Sequence, residues 1–286
     1  LKVSWLIETD LFPEYAESLL AALRAQGHVA KAVPELLIQY RWQDVGCSYR
    51  SLFAEGECVV FHGSIGIASE LQADNPWRPG VWFSRENYNC STYYCHFAKF
   101  LLNSDYVMLP FGELRRRRDF LFQLFGADGS IFVRPDSVAK SFTGQLAHFA
   151  SFDKDVDFMA FYDVPASALV LVSSPKKVVE EWRFVLADRR VVTGCLYQVQ
   201  GKKQISSEVN PEALALANEV AASDFQPDKV WTADICRTAD GRVWLLEIGS
   251  FSCASLYACD VESIARDISR IAEHQWAESA AHGDGQ

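Results

Sequence analysis

Residues 230–257 read VWTADICRTADGRVWLLEIGSFSCASLY. Two runs of β-forming residues, Val230–Cys236 and Arg242–Ile248, flank a Thr-Ala-Asp-Gly turn, a pattern that predicts a hairpin. Each run carries one carboxylate among apolar neighbours, Asp234 on the first and Glu247 on the second. Side chains alternate faces along a strand. With Cys236 opposite Val243 or Leu245, both acids project from one face, opposite or diagonal, with Cα atoms roughly 5–8 Å apart. A slip of one residue would put them on opposite faces. Two carboxylates on one buried face repel each other unless a cation or a proton intervenes. Their spacing suits a shared divalent cation. An edge hairpin with two acids in water has the same pattern, and the hairpin alone leaves both readings open.

The 286 residues suffice for one large or two medium domains. Apolar content of 49% and charged content of 22% are ordinary for a soluble globular chain. A net charge of −10 argues against a general nucleic-acid or anionic-membrane binder, but leaves room for a local basic site. No apolar run approaches the ~20 residues that cross a bilayer. The start, LKVSWLIETD, has too short an apolar core for a secretory signal and reads as a first strand. The eight cysteines are scattered, several inside apolar strands. Cys90, Cys95 and His96 approach metal-ligand spacing, but no second pair completes a zinc set. Reduced structural thiols and a cytoplasmic location are expected.

Along the chain, Lys2–Glu8, His28–Val33 and Cys58–His62 read as strands. Helices are predicted from Pro13 to Gly27, after Gly66 to Gln72, and over Thr92–Leu102, with a further strand at Val81–Phe83. This alternation predicts a small parallel α/β unit. The His62-Gly63-Ser64 turn follows a strand, where α/β folds often place ligands. A plain strand-to-helix turn reads the same way, and no dinucleotide or Walker glycine pattern is present. A boundary falls near Asn103–Pro110. Arg115 to Arg118 lie on a predicted helix, where successive residues point in different directions, as on a solvated face.

Ser130–Arg134 is a predicted strand that leads into PDSVAKSFTGQ. Arg134 at its end, Lys140 in the loop, and Ser141, Thr143 and Gly144 make a plausible phosphate grip, since backbone N–H groups and cations both bind anions. Ala168–Ser173 is an apolar strand. Val179–Leu186 pairs with Val191–Tyr197; Glu181 and Arg183 share one face and Trp182, Phe184 and Leu186 the other. Asn210 and Pro211 open a helix as N-cap and first residue.

The order of these motifs resembles the ATP-grasp superfamily over about Val107 to Ile271. It is carried by Arg134 and Lys140 in FVRPDSVAKSFTG, by EWRFVLADRRVVTG, and by Asp234 with Glu247. Arginine at position 134 is similar to a divergent clade in which arginine stands for the first phosphate-binding lysine. The resemblance implies an α/β domain at 1–105 followed by a two-subdomain α+β ATP-grasp fold at 106–286. It further implies that Arg134 and Lys140 contact ATP phosphates, and that Val170, Val172 and Ser173 belong to the strand that reads adenine. Arg183 would face the phosphates or an acyl phosphate, with Glu181 orienting it or approaching the ribose. Asp234 and Glu247 would hold Mg²⁺. The implied activity is ATP-dependent carboxylate–amine ligation of small-molecule or peptide substrates, with an ATP-grasp kinase or a nucleotide-binding module without turnover as alternatives. Such families often continue Glu-x-Asn, the asparagine being a further ligand. Here the triplet is Glu247-Ile248-Gly249, and Ser250, Ser252 or water would have to replace it. Substrate choice is expected from residues 1–105 and the loops near Tyr197–Lys203 and Ser250–Tyr257. In this context the hairpin acids read as metal ligands.

Overall fold

The computed structural model describes residues 2–33, 49–138, 141–161 and 163–283. Its first layer is a parallel sheet of β1 (Ser4–Glu8), β2 (Val29–Val33), β3 (Cys58–His62) and β4 (Arg78–Gly80), in the order β2-β1-β3-β4. Every residue of β1 and β3 is buried, because helices cover both faces. Trp5 and Ile7 of β1 pack toward α1 (Ala16–Ala25), while Leu6 packs toward α2 (Ile65–Ala73). The strand expected at Val81–Phe83 forms three residues earlier. Pairing stops at Gly80, whose φ of +71° leaves the extended region. Val81, Trp82 and Phe83 are buried, and Trp82 is tied instead to the end of the hairpin.

α3 (Cys90–Phe97) follows, shorter than predicted, and leads to a small antiparallel sheet. This sheet comprises β5 (Tyr106–Pro110), β6 (Ser130–Pro135), β7 (Gln145–His148) and β8 (Leu169–Ser173), ordered β5-β8-β6-β7. Helices α4 (Arg118–Phe125) and α5 (Phe152–Ala160) cover one face, burying Leu121, Phe122, Val156 and Met159 on Ile131, Val133, Val170 and Val172. The arginine run is held locally: Arg115 pairs with Asp153 and Asp157, and Arg116 with Glu113.

The large sheet is antiparallel and contains β9 (Val178–Ala187), β10 (Arg190–Val199), β11 (Lys202–Ser206), β12 (Val230–Thr238) and β13 (Val243–Ser250). Its order, β11-β10-β9-β12-β13, makes β9 the central strand. The aromatic face of β9, with Trp231, Ala233 and Ile235 of β12, packs on α3 and on α6 (Pro211–Ala221). The Asn210 side chain caps α6 as predicted, accepting from the N–H groups of Glu212 and Ala213. The last helix, α7 (Val261–Gly283), returns to the first layer, where Ile264, Ile268 and Ile271 share a core with Leu19, Leu20 and Leu23 of α1. No helix among the described residues is long and apolar enough to cross a membrane.

Candidate active site

The hairpin reaches its register through a bulge. Cys236 faces Trp244 and Ile235 faces Leu245, but Asp234 faces Glu247. Leu246 is therefore an extra residue on β13. Extra residues of this kind re-aim the side chains that follow. Leu245 and Ile248 both enter the apolar core, while Leu246 and Glu247 both line the opposite side. Without the bulge, the Trp244-to-Cys236 register would have set Leu246 against Asp234.

Two cavities meet on this side. The first, of about 300 Å³, lies between the two antiparallel sheets. Phe132, Arg134 and Gly144 line one side, and Glu181, Leu246 and Glu247 the other. The second, of about 480 Å³, runs between the large sheet and the first layer, past Phe12, Phe83, Arg183, Asp234 and Tyr257. Glu247 lines both.

Arg134 Nη2 donates to Glu247 Oε2 at 3.1 Å. Arg183, directly opposite Asp234 on β9, donates from Nε and Nη2 to Asp234 Oδ1 and Oδ2 at 2.8 and 2.7 Å, and from Nη1 to the Ser255 carbonyl at 2.9 Å. Its guanidinium lies 5.2 Å from the Tyr257 ring and 5.6 Å from the Tyr197 ring, and these two rings are stacked. Burial opposes the charge of Arg183, but Asp234 overcomes it and holds the arginine protonated. Glu181 accepts from the Tyr197 hydroxyl at 2.6 Å and from the Gln198 amide. Burial pushes its carboxyl above the usual range, against the pull of the Tyr197 hydrogen bond. The Tyr197 phenol is forced far upward by burial and by Asp234 and Glu181, so it remains a donor.

These positions bear on each residue singled out from the sequence. Arg134, Glu181 and Glu247 line the first cavity, and Arg183, Asp234 and Glu247 the second. Lys140 lies outside the described residues. Its neighbours Phe142, Thr143 and Gly144 line the first cavity. Gly144 lies so close over β6 that a Cβ there would meet the Phe132 ring at 2.8 Å. Val170 and Val172 line neither cavity: they are fully buried on the helix-covered face of the small sheet. Their backbone is flanked by β5 and β6. Ser173 is paired in the same way, and its hydroxyl donates to Asn103 Oδ1 at 3.3 Å. Asn103, buried beside Ser173 and lining the first cavity, was not legible as a site residue because it sits in the expected boundary segment.

Asp234 and Glu247, opposed across adjacent strands, are the carboxylates that could hold one Mg²⁺, which commonly takes one or two and completes its shell with phosphate oxygens and water; each also accepts from an arginine, Asp234 at both oxygens from Arg183 and Glu247 from Arg134. Among the described residues no group of three or more His, Cys, Asp or Glu could hold a metal by itself. The two serines expected as substitutes for an asparagine at Gly249 are otherwise engaged. Ser250 Oγ donates to the Trp82 carbonyl at 2.6 Å, and Ser252 Oγ accepts from the Trp82 N–H at 3.0 Å. Thr232 stands opposite Gly249 and donates to its carbonyl. The His62-Gly63-Ser64 turn is filled from within: the Glu8 carboxylate accepts from the Ser64 N–H, at the start of α2.

Comparison with known proteins agrees with this architecture. No curated protein matches the sequence. Among solved structures, D-cycloserine synthetase DcsG superposes with a TM-score of 0.63 at 15% identity, over 94% of this chain and 99% of that one. D-alanyl-alanine synthetase A from Vibrio cholerae gives 0.62 at 15%, over 96% and 99%. ATP-grasp ligase PsnB, complexed with precursor peptide PsnA2 and AMPPNP, gives 0.54 at 12%, over 96% and 97%. At such identities the likeness is one of fold. Residues 116–266 match the ATP-grasp domain of R2K clade family 2, more than half of the sequence, and the chain belongs to that family of the ATP-grasp superfamily, whose ligases use ATP and Mg²⁺.

Proposed function

We propose that this protein is an ATP-dependent carboxylate–amine ligase acting through an acyl phosphate, with residues 1–105 as the domain that precedes the ATP-grasp fold. The observation that carries the reading is the meeting of two cavities at Glu247, with Arg134 and Arg183 approaching from either side. ATP would lie in the first cavity, its base between Phe132 and Leu246 and its phosphates toward Arg134. The acid would lie in the second, with its carboxylate toward Arg183. Mg²⁺ held by Asp234 and Glu247 would neutralise charge on the phosphate oxygens. The chain's own part is positional. Arg183, fixed by Asp234 and Ser255, presents two further N–H groups to the acid, and Arg134 steadies the transferred phosphoryl group. Amine attack on the acyl phosphate would then release phosphate.

The solved structures named above include a ligase complexed with a precursor peptide, so both a small molecule and a peptide are candidate acids. Cys195 and Cys259, unbonded with sulfurs 3.5 Å apart, are consistent with a reducing compartment such as the cytoplasm. Isothermal titration with ATP and Mg²⁺ tests nucleotide use, and absence of binding at millimolar ATP with folded protein would refute the reading. Product analysis then separates the outcomes: phosphate and an amide support ligation, whereas a stable phosphoester would identify a kinase.

A further inference from the structure

We propose that the second cavity selects a carboxylic acid with a bulky apolar group, branched aliphatic or aromatic, close to its carboxylate; this rests on the ligase reading. The cavity has two unlike walls. The large-sheet wall carries Arg183, Asp234 and Glu247. The opposite wall is apolar: Phe12 from the loop after β1, Ile65 at the start of α2, Phe83 after β4, and Val138 from the loop after β6. A ligand spanning the cavity meets a cation at one end and hydrocarbon at the other.

Three details sharpen the match. First, three of the polar side chains that line the cavity already have partners. Ser250 is bonded to Trp82, Thr232 to Gly249, and Asp234 to Arg183. A polar far end on the ligand would be buried against the hydrocarbon of Phe12, Ile65, Phe83 and Val138, which costs binding. Second, Ile65 is 38% exposed, a β-branched side chain left at the cavity edge where an apolar ligand would cover it. Third, Gly249 contributes no side chain to the floor. Its missing Cβ would lie 2.9 Å from Thr232 Oγ1, so the depth here depends on the glycine. Arg183 makes three hydrogen bonds from Nε, Nη1 and Nη2, and a guanidinium has five N–H groups, which leaves two for the ligand's carboxylate.

Isothermal titration of the full chain, saturated with AMPPNP and Mg²⁺, tests this directly. Leucine, phenylalanine, alanine and aspartate serve as probes, together with a dipeptide ending in leucine for a peptide source. Leucine or phenylalanine, free or in the dipeptide, should bind at least about tenfold more tightly than alanine, and aspartate should give no heat. Ile65→Asp should weaken the apolar acid about tenfold or more while AMPPNP affinity stays unchanged, with Ile65→Ser as a second variant. Preference for aspartate or alanine would overturn the inference, as would an unchanged apolar-acid affinity in both variants. Nucleotide binding without binding of any acid would overturn this inference alone, whereas no nucleotide binding by the wild-type chain would overturn the ligase reading itself.

Discussion

Asp234 is held between two strands of unlike charge: on β9 it faces Arg183, which grips both its oxygens, and on β13 it faces Glu247. Only 3% of its side chain and 13% of that of Arg183 are exposed, so the pair is shielded from solvent. Breaking such a pair leaves one charge buried without its counterpart. Asp234→Ala should therefore destabilise the protein by about 3–5 kcal/mol, read as a fall in the urea midpoint. Arg183→Met combined with Asp234→Leu should recover part of that loss, because apolar replacements of similar volume need no charge compensation. If the double variant were no more stable than Asp234→Ala, the ion pair would not be the source of the effect.

Glu247 should make nucleotide affinity respond to magnesium. In the wild-type chain, AMPPNP should bind more tightly with Mg²⁺ than with EDTA, and Glu247→Gln should remove most of that difference while the metal-free affinity changes little. Equal magnesium dependence in both proteins would exclude Glu247 as a ligand.

Asn103 should discriminate between bases. It lies in the first cavity with Ser173 holding its carbonyl oxygen, which directs its NH₂ donors away from that contact. The backbone of β8 is paired on both sides, and a side-chain amide in the cavity can supply a contact to the base. Asn103→Ala should weaken ATP about tenfold, the worth of one hydrogen bond of about 1.4 kcal/mol, and should narrow the preference for ATP over GTP. Titration of both nucleotides checks it.

Gly249→Asn would install the Glu-x-Asn triplet that the resemblance implies as a metal-ligand set. Its Cβ would press on Thr232 Oγ1, and overpacking of that kind costs roughly 1–3 kcal/mol. Adding Thr232→Ala should relieve the cost, and the thermal midpoint of the double variant should lie above that of the single one.

His62 provides a pH signature. It is fully buried, between the Tyr15 hydroxyl at 2.8 Å and the Phe251 carbonyl at 3.0 Å, and burial depresses its pKa to about 4. Its folded value lies below the unfolded one, so between pH 6.5 and 4 the unfolded chain binds more protons. Stability should fall as pH drops through that window, by roughly 3 kcal/mol from this group. His62→Gln should flatten the slope, measured by urea unfolding across the window.

Much of this was legible in advance because it depends on local pattern. The hairpin, the two faces of β9 and the Asn210 cap follow from alternation and from capping chemistry. The bulge at Leu246 does not. Two leucines precede the glutamate, and which of them enters the core depends on α3 and α6 packing behind the sheet. Val170 and Val172 illustrate another limit. An apolar strand announces burial, but whether its edges stay open depends on where β5 docks. Asn103 and the engaged hydroxyls of Ser250 and Ser252 lay beyond reach for a similar reason. Small polar residues acquire roles only from partners distant in sequence, such as Ser173 and Trp82 here.

The return of α7 to the first layer has a consequence for synthesis. The Trp5 indole donates to Ser269, and the apolar side of α1 is covered by Ile264 and Ile268. On the ribosome, β1 and α1 would emerge uncovered and could not complete their core until α7 left the exit tunnel. α1 and α7 thus form one late-closing unit, and a nascent chain halted before residue 261 would expose an oily surface fit for chaperone capture.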